Sequence, residues 1–121
     1  MAPKASPKPL RVPLSKLFAW KPKIAETLVD VEEGRLSYSS TVPLSVSRLD
    51  TPRGGFFVLD GHHRAVEAAC AHKAFVMGTL DRYIPRIERT GGAHRDVLLN
   101  KGKVLDEVDA RRKRTCHRLT K

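Results

Sequence analysis

The residues with the clearest chemical potential form one short segment, Asp-Gly-His-His-Arg at 60–64, here called the DGHHR segment. The continuous apolar run 56–59 before it predicts a central β-strand, and the alanine-rich stretch 65–72 after it predicts a helix. The glycine permits a sharp turn between them. The first N–H groups of a helix lack acceptors within the helix and carry partial positive charge. The junction therefore predicts a site for an anion such as phosphate.

Each polar side chain of the segment has a role in phosphate chemistry. Cations in the first turn oppose the helix dipole, and such a conflict with a local rule indicates function. Arg64 can bind a phosphate through two parallel hydrogen bonds. His62 can donate to a phosphoryl oxygen or transfer a proton near neutral pH. Asp60 can hold Mg²⁺, orient a histidine, or accept a proton from a substrate hydroxyl. Gly61 and His63 complete the predicted phosphate-binding set.

Structural interpretations of the same residues stay open. Asp60 can be a helix cap, because aspartate accepts hydrogen bonds from the first turn. His63 can be a packing or solvent-facing residue. Arg64 can pair with Glu67, three residues further along the helix.

The charge of the chain predicts an anionic partner. Its 121 residues include 23 Lys and Arg against 13 Asp and Glu, a net charge of +10, and the excess lies at both ends. Nucleic acid is the commonest partner of such a protein. The run Arg111, Arg112, Lys113 and Arg114 supplies the predicted nucleic-acid contacts. The alternative is that the basic ends only confer solubility.

The pattern along the chain predicts an α+β fold, a small mixed sheet of about four strands with flanking helices and helices at the C-terminus. Predicted strands cover 11–17, 42–49, 56–59 and 74–80, the second and third forming a hairpin, and predicted helices cover 24–33, 65–72, 94–100 and 104–119. The predicted organisation is a disordered basic arm at 1–10, a nucleotide-binding domain at 11–90 and a basic helical extension at 91–121. Residues from 111 onward are too poor in apolar side chains to join a core, which predicts a solvated, frayed end.

Two classes of protein are excluded by simple counts. No run reaches the roughly 18 apolar residues of a membrane helix, so we expect no membrane partner. Cys70 and Cys116 lie far apart without a Cys/His cluster, which predicts neither a disulfide nor a zinc site. The expected location is a reducing cytoplasm.

The strand, the DGHHR segment and the helix together resemble the phosphate-binding motif of the ParB/sulfiredoxin superfamily. Two upstream segments are similar to the family's opening segment and to the strand before its motif: VPLSKL at 12–17 and VPLSV at 42–46. The resemblance covers roughly residues 11–82. The closest motif match is to the free-serine-kinase branch, which carries DGHTR or DGHHR.

The resemblance implies a nucleoside triphosphate ligand, ATP or CTP, used with Mg²⁺. It implies that the Asp, His and Arg of the motif engage the phosphates, and that a glutamate of the N-terminal helix acts as a base, for which Glu26 is the nearest candidate. His62 stands where sulfiredoxins have their catalytic cysteine, which excludes sulfinic acid repair. We therefore expect nucleotide binding with hydrolysis or phosphoryl transfer. The alternatives are a DNA- or RNA-binding module, with nuclease activity in one version, and an adaptor whose nucleotide site switches its shape.

Overall fold

The computed structural model describes residues 8–34, 43–49, 54–80 and 100–119. Within these ranges the strands are β1 (Leu10–Pro13), β2 (Leu17–Trp20), β3 (Leu44–Arg48), β4 (Phe56–Asp60), β5 (Phe75–Leu80) and β6 (Lys101–Lys103). The helices are α1 (Lys21–Glu32), α2 (His62–Cys70), α3 (Val104–Ala110) and α4 (Arg112–Leu119). A short 3-10 turn, Leu14–Lys16, joins β1 to β2. None of these helices is long and apolar enough to cross a bilayer. The predicted helix 94–100 falls, except for its last residue, outside the described ranges.

The described strands form one mixed sheet in the order β1-β5-β3-β4-β2-β6. The β3–β4 pair is antiparallel, as the predicted hairpin requires, and β4 runs parallel to its other neighbour β2. The α+β prediction is confirmed, but the sheet has six strands rather than about four. The predicted strand 11–17 is divided by the 3-10 turn into two. Strand β6 has the sequence Lys-Gly-Lys, with no apolar residue to produce an alternating pattern.

The main core lies between one face of the sheet and the helices. The inward residues of the strands alternate with outward ones, as the pleat demands. On α1, Ile24, Leu28 and Val31 are buried at the predicted helical spacing, and Gly34 follows the helix with a φ of 69°. The buried face of α2 is rich in alanine, which allows the helix to lie close to its neighbours. The opposite face of the sheet carries a smaller cluster, Leu49 and Phe57 with Phe18 and Leu59 packed against them.

The predicted helix 104–119 is two helices, and its second half is anchored to the domain. Arg111 ends α3 with a φ of −128°. Its Nε–H donates to Glu32 Oε1 at 2.9 Å and its Nη2–H donates to Glu32 Oε2 at 2.7 Å. Thr115 is fully buried and its hydroxyl donates to Glu32 Oε1 at 3.1 Å. The prediction of a frayed end from residue 111 is wrong, because polar contacts hold this segment where apolar residues are few.

The same segment is attached to the end of α2. Arg112 donates from Nη1 and Nη2 to the carbonyl oxygen of Ala69, and a disulfide joins Cys70 to Cys116. A cation at the C-terminal carbonyls of a helix is favoured by the helix dipole. The prediction that the chain contains no disulfide is wrong. The two cysteines are 46 residues apart, and only the packing of α4 against α2 brings them together.

The Glu32–Arg111 pair is therefore a stabilising contact between the two halves of the chain. Burial acts to raise the pKa of Glu32, but hydrogen bonds from Arg111 and Thr115 outweigh it and hold this pKa below its usual range. The carboxylate is 15% exposed, so removing its partner leaves a charge that water solvates poorly.

We predict that Arg111→Ala lowers the free energy of unfolding by about 1–2 kcal/mol, because a hydrogen-bonded charge loses its partner. Lys113→Ala is the matched control, since Lys113 is an exposed cation on the same segment and its removal should change stability by less than about 0.5 kcal/mol. Urea denaturation of both variants measures the difference. Equal stability of the two would show that the ion pair does not anchor α4.

Candidate functional site

The DGHHR segment occupies the junction between β4 and α2, where the sequence placed it. Strand β4 ends at Asp60 and α2 begins at His62, and Gly61 between them has φ 93° and ψ 27°. A side chain at this position would be strained at that φ, and its Cβ would lie 2.7 Å from Leu44 Cδ2. Glycine is thus required twice, by the turn itself and by the close approach of β3.

The first turn of α2 has no side-chain cap among the described residues. The Gly61 carbonyl oxygen accepts hydrogen bonds from the backbone N–H groups of Arg64 (3.0 Å) and Ala65 (3.2 Å). Asp60 Oδ1 accepts from the N–H of Gly61 at 2.9 Å, and so braces the turn without capping the helix. The N–H groups of His62 and His63, the first two helical residues, have no acceptor within the helix and face the end where an anion would bind.

Buried donors close to this helix start strengthen the site. In the part of the chain that the structure describes, His63 Nε2 and Arg64 Nε and Nη1 are buried with no hydrogen-bond partner. Buried polar atoms in folded proteins nearly always have partners. Leaving one unpaired costs about 1–3 kcal/mol. A phosphate bound at the helix start is one source of acceptor oxygens for these nitrogens.

The surroundings of the two histidines favour their neutral forms, because both pKa values are lowered. The pKa of His62 is lowered from its ordinary 6.5 to about 4, mainly by burial and also by Lys23 and His63, while Asp60 acts to raise it. Burial also lowers the pKa of His63, against the effect of Glu67 and Asp30. A neutral His62 offers one N–H donor and one acceptor nitrogen at neutral pH. An anion bound beside it would raise its pKa, because a nearby negative charge favours the imidazolium form.

A second helix start lies at the same edge of the sheet. Helix α1 begins at Lys21 directly after β2, and β2 is the parallel neighbour of β4. Lys23, in the first turn of α1, lies close enough to lower the pKa values of both His62 and His63. Sequence reasoning missed Lys23. The signal was present as the strand-to-helix junction Trp-Lys-Pro-Lys, since proline is favoured in the first turn of a helix.

The remaining predicted site residues lie elsewhere. Glu26 is exposed on α1 and forms an ion pair with Lys23 at 3.8 Å, so it is linked to the DGHHR segment through that lysine. Arg111 and Arg112 are engaged with Glu32 and Asp109, while Lys113 and Arg114 are exposed on α4. Because α4 packs at the C-terminal end of α2, this basic run is separated from the DGHHR segment by the length of that nine-residue helix, about 13 Å.

The candidate site offers one carboxylate, Asp60, for a Mg²⁺ ion that would also be held by the phosphates of a ligand. In the described ranges, no three His, Cys, Asp or Glu side chains are grouped as a metal-binding cluster. Mg²⁺ is commonly held by one or two carboxylates together with substrate phosphates and water. The exposed carboxylate of Asp60, next to the predicted phosphate position, meets that requirement.

Comparison of the chain with models of protein families, with curated proteins and with solved structures gives no match. The resemblance to the ParB/sulfiredoxin superfamily therefore stays a prediction.

We predict that stability falls as the pH is lowered from about 6.5 toward 4, because His62 binds a proton more readily in the unfolded chain than in the folded one. Its contribution is on the order of 3 kcal/mol. His62→Gln should flatten this dependence, and His117→Gln, an exposed histidine on α4, should not. Urea denaturation between pH 7.5 and 4 gives the three profiles, and identical profiles for wild type and His62→Gln would refute the assignment.

Proposed function

We propose that the DGHHR segment binds the phosphate groups of a nucleoside triphosphate, ATP or CTP, and that the protein hydrolyses it or transfers a phosphoryl group. The observation that carries the proposal is the combination of an uncapped helix start with the buried, unpartnered nitrogens of His63 and Arg64. Anions are stabilised at helix starts, and guanidinium groups match phosphate geometry.

The residues divide the work between binding and chemistry. The N–H groups of His62 and His63 and the Arg64 guanidinium bind phosphate oxygens, and Lys23 adds positive charge at the same edge. Phosphoryl transfer depends mainly on positioning and on neutralising charge. Mg²⁺ held by Asp60 would supply part of that neutralisation. His62 can donate to a phosphoryl oxygen or accept a proton from the attacking group.

Two carboxylates are candidates for the base, Asp60 and Glu26. Asp60 directly adjoins the proposed phosphate position. Glu26 lies on α1 in an ion pair with Lys23, which favours Asp60 over Glu26 as the proton acceptor.

We predict that Arg64→Ala weakens binding of ATP, CTP and inorganic tripolyphosphate at least about tenfold, because a charge-assisted hydrogen bond is lost. Titration calorimetry with Mg²⁺ measures the affinities. Arg48→Ala is the matched control, since Arg48 pairs with Phe56 at the opposite end of the β3–β4 hairpin. Equal affinities of wild type and a folded Arg64→Ala protein would sink the proposal.

We predict that Asp60→Asn lowers turnover of ATP or CTP about 100-fold or more while leaving the fold intact, because a carboxylate that binds metal or accepts a proton is lost. Asp106→Asn, an exposed acid in α3, should retain full activity. Phosphate release with Mg²⁺ is the measurement. A wild-type protein that binds nucleotide but turns none over would remove the catalytic part of the proposal and favour the adaptor alternative.

A second candidate function is the binding of DNA or RNA, with nuclease activity as one version. The net charge of +10 and the exposed Lys113 and Arg114 favour it. Arg111 and Arg112 form ion pairs with Glu32 and Asp109, so two of the four predicted nucleic-acid contacts are already engaged within the protein. In this function the DGHHR segment would hold a backbone phosphate.

A cytoplasmic location is the expectation from the sequence. The Cys70–Cys116 disulfide argues against a reducing cytoplasm, because such bonds persist mainly in oxidising compartments.

A further inference from the structure

We infer that Trp20 is the surface on which the base of the bound nucleotide stacks, so that the site selects a nucleoside triphosphate over a bare polyphosphate. This inference rests on the proposed function, because it assumes phosphates at the DGHHR segment. It adds a recognition residue that neither the motif nor the phosphate chemistry requires.

The position of Trp20 follows from the pairing of β2 with β4. Leu17 lies opposite Phe56 and Phe18 lies opposite Phe57 in this parallel pair. Continued by two residues, the same register would bring Trp20 level with Leu59, the residue before Asp60. Neighbouring strands are about 4.8 Å apart, so the backbone of Trp20 would then lie one strand away from the residue that leads into the DGHHR segment.

The exposure of Trp20 makes the indole available to a ligand. It is 38% exposed, and within the described ranges Phe75 and Met77, both on β5, are the other large exposed apolar residues. Alternation along β2 places Trp20 on the face of the sheet that carries Phe18, at the edge where α1 begins. A flat aromatic ring left open at this edge can accept the face of a base.

The charges around the indole fit a ligand that carries phosphates. Lys101 on β6 is the register partner of Trp20, and Lys21 and Lys23 follow Trp20 in the first turn of α1. A ligand with its base on Trp20 and its phosphates at the start of α2 would cross the carboxyl-terminal edge of β2 and β4, where Lys23 lies close to His62 and His63. Stacking on an aromatic side chain tolerates any base, so the inferred class is nucleoside triphosphates in general.

The test compares nucleotides with inorganic tripolyphosphate on the intact protein with Mg²⁺. Calorimetric affinities are measured for wild type, Trp20→Ala and Trp20→Phe. Phe75→Ala is the control, since it removes an exposed aromatic from β5, which β3 and β4 separate from β2. Trp20 is the sole tryptophan of the sequence, so its fluorescence reports the same event in the wild-type protein without any substitution.

We expect Trp20→Ala to weaken ATP or CTP binding about 5- to 100-fold, down to the affinity of tripolyphosphate, and to leave tripolyphosphate binding unchanged. Trp20→Phe should restore most of the loss, and Phe75→Ala should bind like wild type. Saturating nucleotide should quench the tryptophan emission, whereas saturating tripolyphosphate should leave it nearly unchanged.

Two other results have distinct meanings. If wild type binds nucleotide and tripolyphosphate equally, or if tripolyphosphate changes the emission as nucleotide does, the stacking inference is overturned and the phosphate site stands. If wild type binds neither ligand, the proposed function fails and the inference fails with it.

Discussion

The carboxylate of Glu32 joins the C-terminal helix to the rest of the domain. It ends α1, a position where the helix dipole disfavours an acid, and it lies largely out of water. Arg111 and Thr115 compensate for both costs by donating to its two oxygens. Because α4 has a predominantly polar and basic sequence, this ion pair, the Arg112 contact with Ala69 and the disulfide take the place of an extensive apolar seam.

These attachments of α4 lie at the C-terminal ends of α1 and α2, opposite to the ends that form the candidate site. Segment 111–116 contacts the C-terminal ends of α1 and α2, the helices whose first turns form the candidate site. At the other end, the parallel pairing of β2 with β4 sets the two helix starts side by side. The distance between Lys23 and the two histidines is thereby fixed at both ends of the helix pair. The charge of Lys23 contributes to the lowered pKa of His62, although burial of the imidazole is the larger cause.

The local parts of the fold could be predicted from the sequence because their signals are local. Apolar spacing indicated α1, and an apolar run, a glycine and an alanine-rich segment indicated the β4–α2 junction. The missed features depend on distant residues. Strand β6 has no apolar side chain and exists through pairing with β2, while the Cys70–Cys116 bond requires α4 to dock on α2. Lys23 entered the site only through the parallel pairing of two strands that are far apart in sequence.

The DGHHR segment buries polar groups at a cost in stability that a bound anion would relieve. A desolvated His62 and the unpartnered nitrogens of His63 and Arg64 reduce the stability of the domain. The guanidinium of Arg64 has its Nε and Nη1 atoms buried without acceptors among the described residues. The polar and covalent attachments of α4 offset that cost at the other end of α2. A ligand whose oxygens satisfy these nitrogens would bind only the folded chain, and it would raise the free energy of unfolding by RT ln(1 + [L]/Kd). The chain thus combines an anchored C-terminal helix with a locally unfavourable start of α2, where the proposed anion would bind.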